Sequence, residues 1–357
     1  MKIAIYSPYI DTLGGGEKYM LTIAEYLSKD HEVNVLLDSH LWEIKESDIR
    51  EKAEMLHGIN LSRVIFKKAP LGKGSSFFKR LLFLRQYNYL FYLTDGSIFF
   101  STAGKSIIHF QSPLINQQRG IWNRIKLLSW EMAIYNSRFT QGFIESSWPI
   151  QGQVIYPPVS IDQFKSVKKK GNKKNQIITV GFFAKSRLKK HEFLINSFKK
   201  LSQEVSKWSL HIAGGASDSD KEYINYLQKL TDNERIFFYP NISLKNLIQL
   251  YSESDIYWHA MGFAESDPIK FEHFGIVTVE AMASGCVPIV IGKGGQPEIV
   301  VNQTSGFLWN TQKELLDSTK KIIADKNLRD KISHNAILRS KVFSKDNFCK
   351  NISKLII

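Results

Sequence analysis

Only two of the 357 residues are cysteine, Cys286 and Cys349. Two thiols in so long a chain make no disulfide framework, and a reducing compartment is the simpler reading. Long apolar runs are missing as well. The amino-terminal stretch Met1-Lys-Ile-Ala-Ile-Tyr-Ser ends at Pro8, too short for a signal-peptide core or for a span of about 20 apolar residues. It reads as a first buried strand, and the chain as cytoplasmic. Acidic residues are scarce beside basic ones: 34 Asp and Glu against 48 Lys and Arg leave a formal charge of +14. That excess favours anionic partners (phosphates, nucleic acid or an anionic membrane surface) without choosing among them. With 43% hydrophobic and 23% charged residues, the composition argues against disordered and collagen-like classes. The length is that of about two domains.

What is present is a repeated α/β rhythm. Residues 3–6 read as a strand, followed by a glycine-rich loop and a helix whose Met20, Ile23, Ala24 and Leu27 keep helical spacing. Further strands are expected at 33–37, 98–99, 107–110 and 141–145. Pro157 and Pro158 break the pattern, since neither fits a helix interior or a central strand. Lys165, Lys168, Lys169, Lys170, Lys173 and Lys174 then crowd into ten residues and read as a solvated linker. The rhythm restarts with strands expected at 177–180, 210–213, 236–239, 256–259 and 287–291. The expected organisation is a first Rossmann-like half over 1–160, a basic linker over 161–175 and a second half over 176–340.

Two segments carry candidate chemistry. Leu13-Gly14-Gly15-Gly16-Glu17 lies between the first strand and helix, where bare backbone N–H groups and a helix N-terminus suit a phosphate or sugar. A dinucleotide-binding dehydrogenase uses a similar loop, and Asp38 ends the second strand where a ribose-binding acid belongs. Tyr19, however, stands where a third glycine is needed. A plain flexible turn is the bland alternative. The second segment runs from Phe271 to Val290, with a helix expected over about 277–284, capped by Gly285. Its N-terminus around Gly275, Ile276 and Val277 suits a diphosphate. Glu280, inside the helix, suits paired ribose hydroxyls, and Glu272, before it, suits hydroxyls of a sugar. Read blandly, Glu280 is a surface charge, which leaves its apolar neighbours Val279, Ala281 and Met282 unexplained.

With Glu272 and Glu280 at its ends, this segment resembles the E-x7-E signature of the retaining glycosyltransferases of family 4, which have the GT-B fold. Ile256-Tyr257-Trp258-His259-Ala260, Glu272-His273-Phe274-Gly275 and Gly294-Gly295-Gln296-Pro297-Glu298-Ile299-Val300 are also similar to that family, in its mannosyltransferase-like branch. The resemblance covers most of 176–310, and 1–30 and 105–160 thinly. It implies two Rossmann-like domains facing a cleft, with the acceptor mainly on the first and the donor mainly on the second. A last helix over about 346–355, within a segment 341–357, would return to the first domain. The implied donor is a nucleotide-diphosphate sugar and the acceptor a glycan or polyprenyl-linked glycan, with neither metal nor other cofactor. Gly15 and Gly16 resemble the loop closing over donor phosphates, and His109 resembles a cleft histidine. The donor site would further include His259, Phe274, Gly275, Ile276, Val277 and Glu280, with Glu272 and His109 as catalytic residues. The family usually places an arginine after the glycine equivalent to Gly181 and a lysine later. Here Phe182 holds the arginine position, so Arg187, Lys189 or Lys190 is left to grip the diphosphate.

Other readings have less behind them. Asp218-Ser219-Asp220 matches a metal-holding D-x-D, yet acids at a helix start are commonplace. His259 and His273 lack a third ligand and fit a sugar pocket better. Residues 77–87 mix bulky apolar side chains with Lys79, Arg80 and Arg85, which fits either peripheral contact with an anionic membrane or plain helix packing. No nucleic-acid module accompanies them, and nucleic acid is not an expected partner. From other classes, an NAD(P)-dependent oxidoreductase and a catalytically inactive sugar-nucleotide-binding protein are the alternatives.

Overall fold

The computed structural model describes residues 1–72, 74–114, 120–165, 173–184, 186, 188–231 and 235–356. Two compact units result: Met1–Pro158 joined by Asp346–Ile357, and Val159–Lys345. Seven strands form the sheet of the first unit: β1 (Lys2–Tyr6), β2 (Glu32–Leu37), β3 (Ile65–Lys68), β4 (Tyr89–Leu93), β5 (Lys105–Phe110), β6 (Met132–Tyr135) and β7 (Gly152–Val154). Their order is β3-β2-β1-β4-β5-β6-β7, and every pairing is parallel.

Parallel sheets are covered on both faces, which is why β1 is buried continuously from Ile3 to Tyr6 instead of alternating. Ile3 and Ile5 enter a core shared with Met20, Ile23 and Leu27 of the helix Gly15–Leu27. Ala4 and Tyr6 face the opposite core, with Tyr92, Phe99 and Trp130. Each isoleucine, leucine or methionine among them, fully buried, is worth about 1.5–3 kcal/mol. The helix Lys345–Ser353 packs into the first of these cores through Phe348 and Ile352, with the Phe348 ring edge-on to Tyr19 at 4.7 Å.

The second unit holds six parallel strands: β8 (Gln176–Val180), β9 (Ser209–Gly214), β10 (Ile236–Pro240), β11 (Ile256–His259), β12 (Val287–Ile291) and β13 (Phe307–Trp309). They run in the order β10-β9-β8-β11-β12-β13. Both units are thus doubly wound parallel sheets of the Rossmann kind. In each, strand order reverses once: between β1 and β4 in the first and between β8 and β11 in the second. Ligands of open parallel sheets bind beyond the carboxyl ends of the strands at that reversal.

Two strand expectations fail. Residues 141–145 belong to a helix, Arg138–Glu145, started by Ser137, whose hydroxyl accepts from the Thr140 N–H at 3.1 Å. Ile98 and Phe99 are buried but pair with no strand. Of the basic run, 166–172 lies outside the described residues. Lys173 donates to the carbonyl of Ser254 and, at 3.5 Å, to those of Tyr251 and Ser284. Lys174 pairs with Glu253 at 2.8 Å. Among the described residues no helix is long and apolar enough to cross a membrane.

Candidate active site

At the β8/β11 reversal three side chains converge. His259 ends β11, Glu272 lies on the loop that follows, and Lys189 comes from the loop after β8. Lys189 Nζ stands 2.6 Å from Glu272 Oε2, and His259 Nε2 stands 3.4 Å from the same oxygen. A carboxylate can only accept, so Nε2 carries the imidazole proton. Nδ1 of His259 is buried with no partner among the described residues. Burial pulls the Glu272 carboxyl upward, but the Lys189 ammonium and the His259 bond outweigh it and hold the group well below the usual carboxylate range. Burial lowers His259, with Glu272 opposing. The cluster at neutral pH is therefore an ionised carboxylate between an ammonium and an imidazole.

Lys189 and Lys190 part company here. The stem of Lys189 crosses Gly181, where a Cβ would stand 2.8 Å from Lys189 Cγ. Lys190 instead pairs with Glu265 at 2.6 Å, and Lys270 joins that carboxylate at 3.2 Å. Lys190 has φ +60° and immediately precedes the helix His191–Ser202, so it and its neighbour leave the backbone in different directions. Arg187 lies outside the described residues. The Phe182 ring is 47% exposed and packs near Gly215, where a Cβ would meet it at 2.8 Å.

The helix Ile276–Ala283 begins beside Glu272. Gly275 has φ +121°, a region closed to other residues, and a Cβ there would lie 2.2 Å from Gln296 Nε2. Gln296, wholly buried, donates to the Phe274 carbonyl at 3.0 Å and accepts from the Thr278 hydroxyl at 2.9 Å. It clamps the turn that aims the first N–H groups of the helix, at Ile276 and Val277, which have no carbonyl one turn earlier to bond. Gln296 was visible inside the Gly294–Val300 motif, but its role as a brace was not. Glu280 is half-buried on the next turn. Burial first, then the Glu280 charge, pushes the Tyr251 hydroxyl well up. Lys293, overlooked in the sequence, donates to the carbonyls of Gly262 (3.2 Å) and Glu265 (2.8 Å). It holds the loop ahead of Glu272.

Gly15, Gly16 and His109 belong to the first unit. Gly15 and Gly16 open its first helix after Gly14, and a Cβ on Gly16 would sit 2.2 Å from Gln111 Oε1. His109, next to last in β5, is only 1% exposed and stacks on Tyr19 at 4.0 Å. Its Nδ1 lies 3.1 Å from the Ile134 carbonyl, and burial lowers it to about 4, so it is neutral at pH 7. Tyr19, which spoiled the dinucleotide fingerprint, is thus the platform for this histidine. Asp38 is buried and accepts from the Tyr6 hydroxyl at 2.8 Å. In the D-x-D segment, Asp220 caps the Ser217 N–H at 2.8 Å and Asp218 pairs with Lys221 at 2.9 Å. Among the described residues no group of three or more His, Cys, Asp or Glu is placed to hold a metal ion.

Two doubly wound parallel sheets, the second with an anion-suited helix N-terminus beside a lysine–carboxylate–histidine cluster, define the GT-B class. Residues 160–339 match the model of the glycosyl transferases group 1 family, and the chain belongs to that family. The mouse GDP-Man:Man(3)GlcNAc(2)-PP-Dol alpha-1,2-mannosyltransferase is 30% identical over 213 residues, 54% of this chain and 41% of that protein. The Dictyostelium discoideum protein of the same name is 26% identical over 244 residues, 63% of this chain and 47% of that protein. The chain spans about half the length of the curated relatives it matches. Among crystal structures, a Rickettsia africae glycosyltransferase superposes with TM-score 0.76 at 17% identity, covering 99% of this chain and 97% of that one. Anabaena HepE with UDP superposes with TM-score 0.71 at 18% identity, covering 100% and 99%.

Proposed function

We propose that the chain is a retaining, metal-independent hexosyltransferase of family 4. It moves a hexosyl group from a nucleotide-diphosphate sugar to a glycan or lipid-linked acceptor. The observation that carries this reading is the Lys189–Glu272–His259 cluster beside the Gly275 turn. Loss of a nucleotide diphosphate puts negative charge on the leaving group and positive charge on the sugar. Lys189 and the N–H groups of Ile276 and Val277 serve the first. The Glu272 carboxylate serves the second, by orienting the sugar and stabilising its cationic centre. Glu280 holds the ribose, and the Glu272–Glu280 spacing is the E-x7-E pattern. The mouse and Dictyostelium relatives are named for GDP-Man and a PP-Dol-linked acceptor, which supports mannose and a lipid-linked glycan. HepE was crystallised with UDP, so uridine donors belong in the first panel.

A thermal-shift panel of sugar nucleotides, free diphosphates, NAD and NADP tests the reading, because a bound ligand raises Tm by mass action. The wild type is expected to respond to one sugar nucleotide. Lys189→Ala and Glu280→Ala should abolish that shift and Lys190→Ala should keep it. No response to any sugar nucleotide overturns the proposal, and a response only to NAD or NADP moves the chain to the oxidoreductases. Transfer is expected to persist in chelator. The half-exposed Phe182 ring at the usual arginine position favours a second reading, an inactive donor-binding protein. That reading requires donor binding with neither transfer nor slow donor hydrolysis.

A lipid-linked acceptor needs the enzyme at a membrane surface. The helix Phe77–Leu84 exposes Phe78 (74%) and Leu82 (73%), and the helix Ile121–Leu127 with Leu128 exposes Trp122 (70%) and Leu128 itself (84%). Both helices are tied to one segment: Phe77 rests edge-on against Phe100 at 6.1 Å, and Ser129 Oγ accepts from the Ser101 N–H at 3.0 Å. Lys79, Arg85 and Arg124 are exposed among these apolar groups. We therefore place the protein peripherally on an anionic cytoplasmic leaflet. Flotation with anionic vesicles should recover the wild type at low salt and less at high salt, and the triple variant Phe78→Ser, Leu82→Ser, Trp122→Ser should remain behind. Absence of flotation at low salt sinks this part.

A further inference from the structure

Residues 260–271 lead from the end of β11 to Glu272, and the regular structure within them is one turn of 3₁₀ helix, Pro268–Lys270. Asp267 starts that turn, its carboxylate accepting from the Ile269 N–H at 3.0 Å. A reacting or orienting carboxylate has to be held to within about 0.5 Å, which an irregular segment of this length does not achieve by its own turns. The hold comes from elsewhere in the second unit.

Two lysines on other elements tie the segment down. Lys293, two residues after β12, donates to the Gly262 carbonyl at 3.2 Å and the Glu265 carbonyl at 2.8 Å, and its ammonium lies 5.1 Å from the centre of the Phe271 ring. Lys190, just before the helix His191–Ser202, places Nζ 2.6 Å from Glu265 Oε1. Lys270 reaches Glu265 Oε2 at 3.2 Å, but it belongs to the same segment and closes it on itself. The bonds from Lys190 and Lys270 hold the Glu265 carboxyl below its ordinary range, so the pair is ionic at neutral pH. Consecutive lysines thus grip two carboxylates of one segment: Lys189 takes Glu272 at 2.6 Å, and Lys190 takes Glu265 at the same distance.

The backbone on both sides of this grip is unusual. Leu188, Lys190 and Ala264 have φ of +49°, +60° and +56°, left-handed values that residues with a Cβ rarely adopt. Such conformations persist where the surroundings over-determine them, and they gather at functional sites. We propose that Glu265 is a positioning residue: its pair with Lys190 fixes segment 260–271 so that the Glu272 carboxylate faces Lys189 and His259. Its effect on transfer rests on the proposed function; its hold on the segment does not.

Steady-state kinetics and hydrogen exchange of peptides covering 260–272 test it, on wild type, Glu265→Gln, Lys190→Ala, the double variant and Lys190→Arg. The two single variants remove one bond from either side, so one of them suffices if the other folds poorly. Each is expected to lower kcat per folded enzyme about tenfold with donor KM within about threefold, the mark of a displaced carboxylate and not of lost donor binding. The double variant should lose no more than either single, because the two residues act as one unit. Lys190→Arg, which keeps the pair, should retain most of kcat. Exchange over 260–272 should quicken about tenfold in the single variants and not in Lys190→Arg. The proposal is overturned if the single variants lower Tm but leave kcat and this exchange unchanged, if their losses multiply in the double variant, or if donor KM rises as far as kcat falls. A wild type that transfers from no donor removes the proposed function. In that protein, quickened exchange in the single variants still supports the grip, and unchanged exchange overturns it.

Discussion

Glu272→Gln is expected to lower kcat for transfer by about 10²–10³ while leaving donor affinity within a few-fold. The substitution keeps the shape of the side chain and removes its charge. In the wild type that charge is held by Lys189 at 2.6 Å and His259 at 3.4 Å, at the carboxyl end of β11. A carboxylate fixed in this way needs no reorganisation when positive charge develops on the sugar, and the effect therefore falls on the chemical step. The variant also leaves the Lys189 ammonium facing a neutral amide. Lys189 and Glu272 are 18% and 20% exposed, so water screens part of the loss, and a destabilisation of about 1–3 kcal/mol is expected. Steady-state kinetics with the donor identified by the thermal panel, beside a melt of the same protein, measures both. A kcat within about threefold of wild type would remove Glu272 from the chemistry.

The second large effect comes from a residue with no side chain. Gly294 has φ +62°, and a Cβ there would lie 2.2 Å from the Glu272 carbonyl oxygen and 3.2 Å from Phe271 Cβ. The next residue, Gly295, donates its N–H to that same carbonyl at 2.8 Å. Gly294→Ala therefore has to move either its own turn or the backbone of Glu272. A left-handed alanine costs about 1–2 kcal/mol, and the overpacking adds about 1–3 more. A shift of the Glu272 backbone on the order of 1 Å would cost about 100-fold in kcat. Expected, then, are a Tm lowered by several degrees and a loss of activity larger than the remaining folded fraction explains. Gly142→Ala is the control, since a Cβ there meets nothing within 4 Å in the helix Arg138–Glu145. It should be neutral or stabilising by up to about 1 kcal/mol. If Gly294→Ala behaves like the control, the glycine pair is not what positions Glu272.

Much of this site could be seen in the primary structure, and its omissions have physical causes. Apolar runs, the first two running into glycine, located β8, β9, β11 and β12 because strands buried on both faces leave an unbroken apolar run. The segment 98–99 misled because it shares that apolar character without a ladder partner. Segment 141–145 misled because a short stretch does not separate period 2 from period 3.6. What chose the helix there was Ser137, three residues upstream of Thr140. β4 lies inside a tyrosine- and phenylalanine-rich stretch that the apolar pattern does not single out as a strand.

Residue types and spacing alone determined that the chain alternates strands and helices in two halves, that Glu272 and Glu280 bracket a helix start, and that glycines crowd the loops around it. Those features are local: they follow from periodicity, backbone freedom and the absence of side chains. Only the tertiary structure decided that Lys189 and not Lys190 meets Glu272, that Gln296 braces Gly275, that His109 rests on Tyr19, and that Asp38 and Asp95 line one cavity. Each of these joins segments that are adjacent only because parallel strands bring their carboxyl ends to the same edge of a sheet. Adjacent residues such as Lys189 and Lys190 are nearly equivalent in a sequence, and it takes a fixed backbone to send them in different directions.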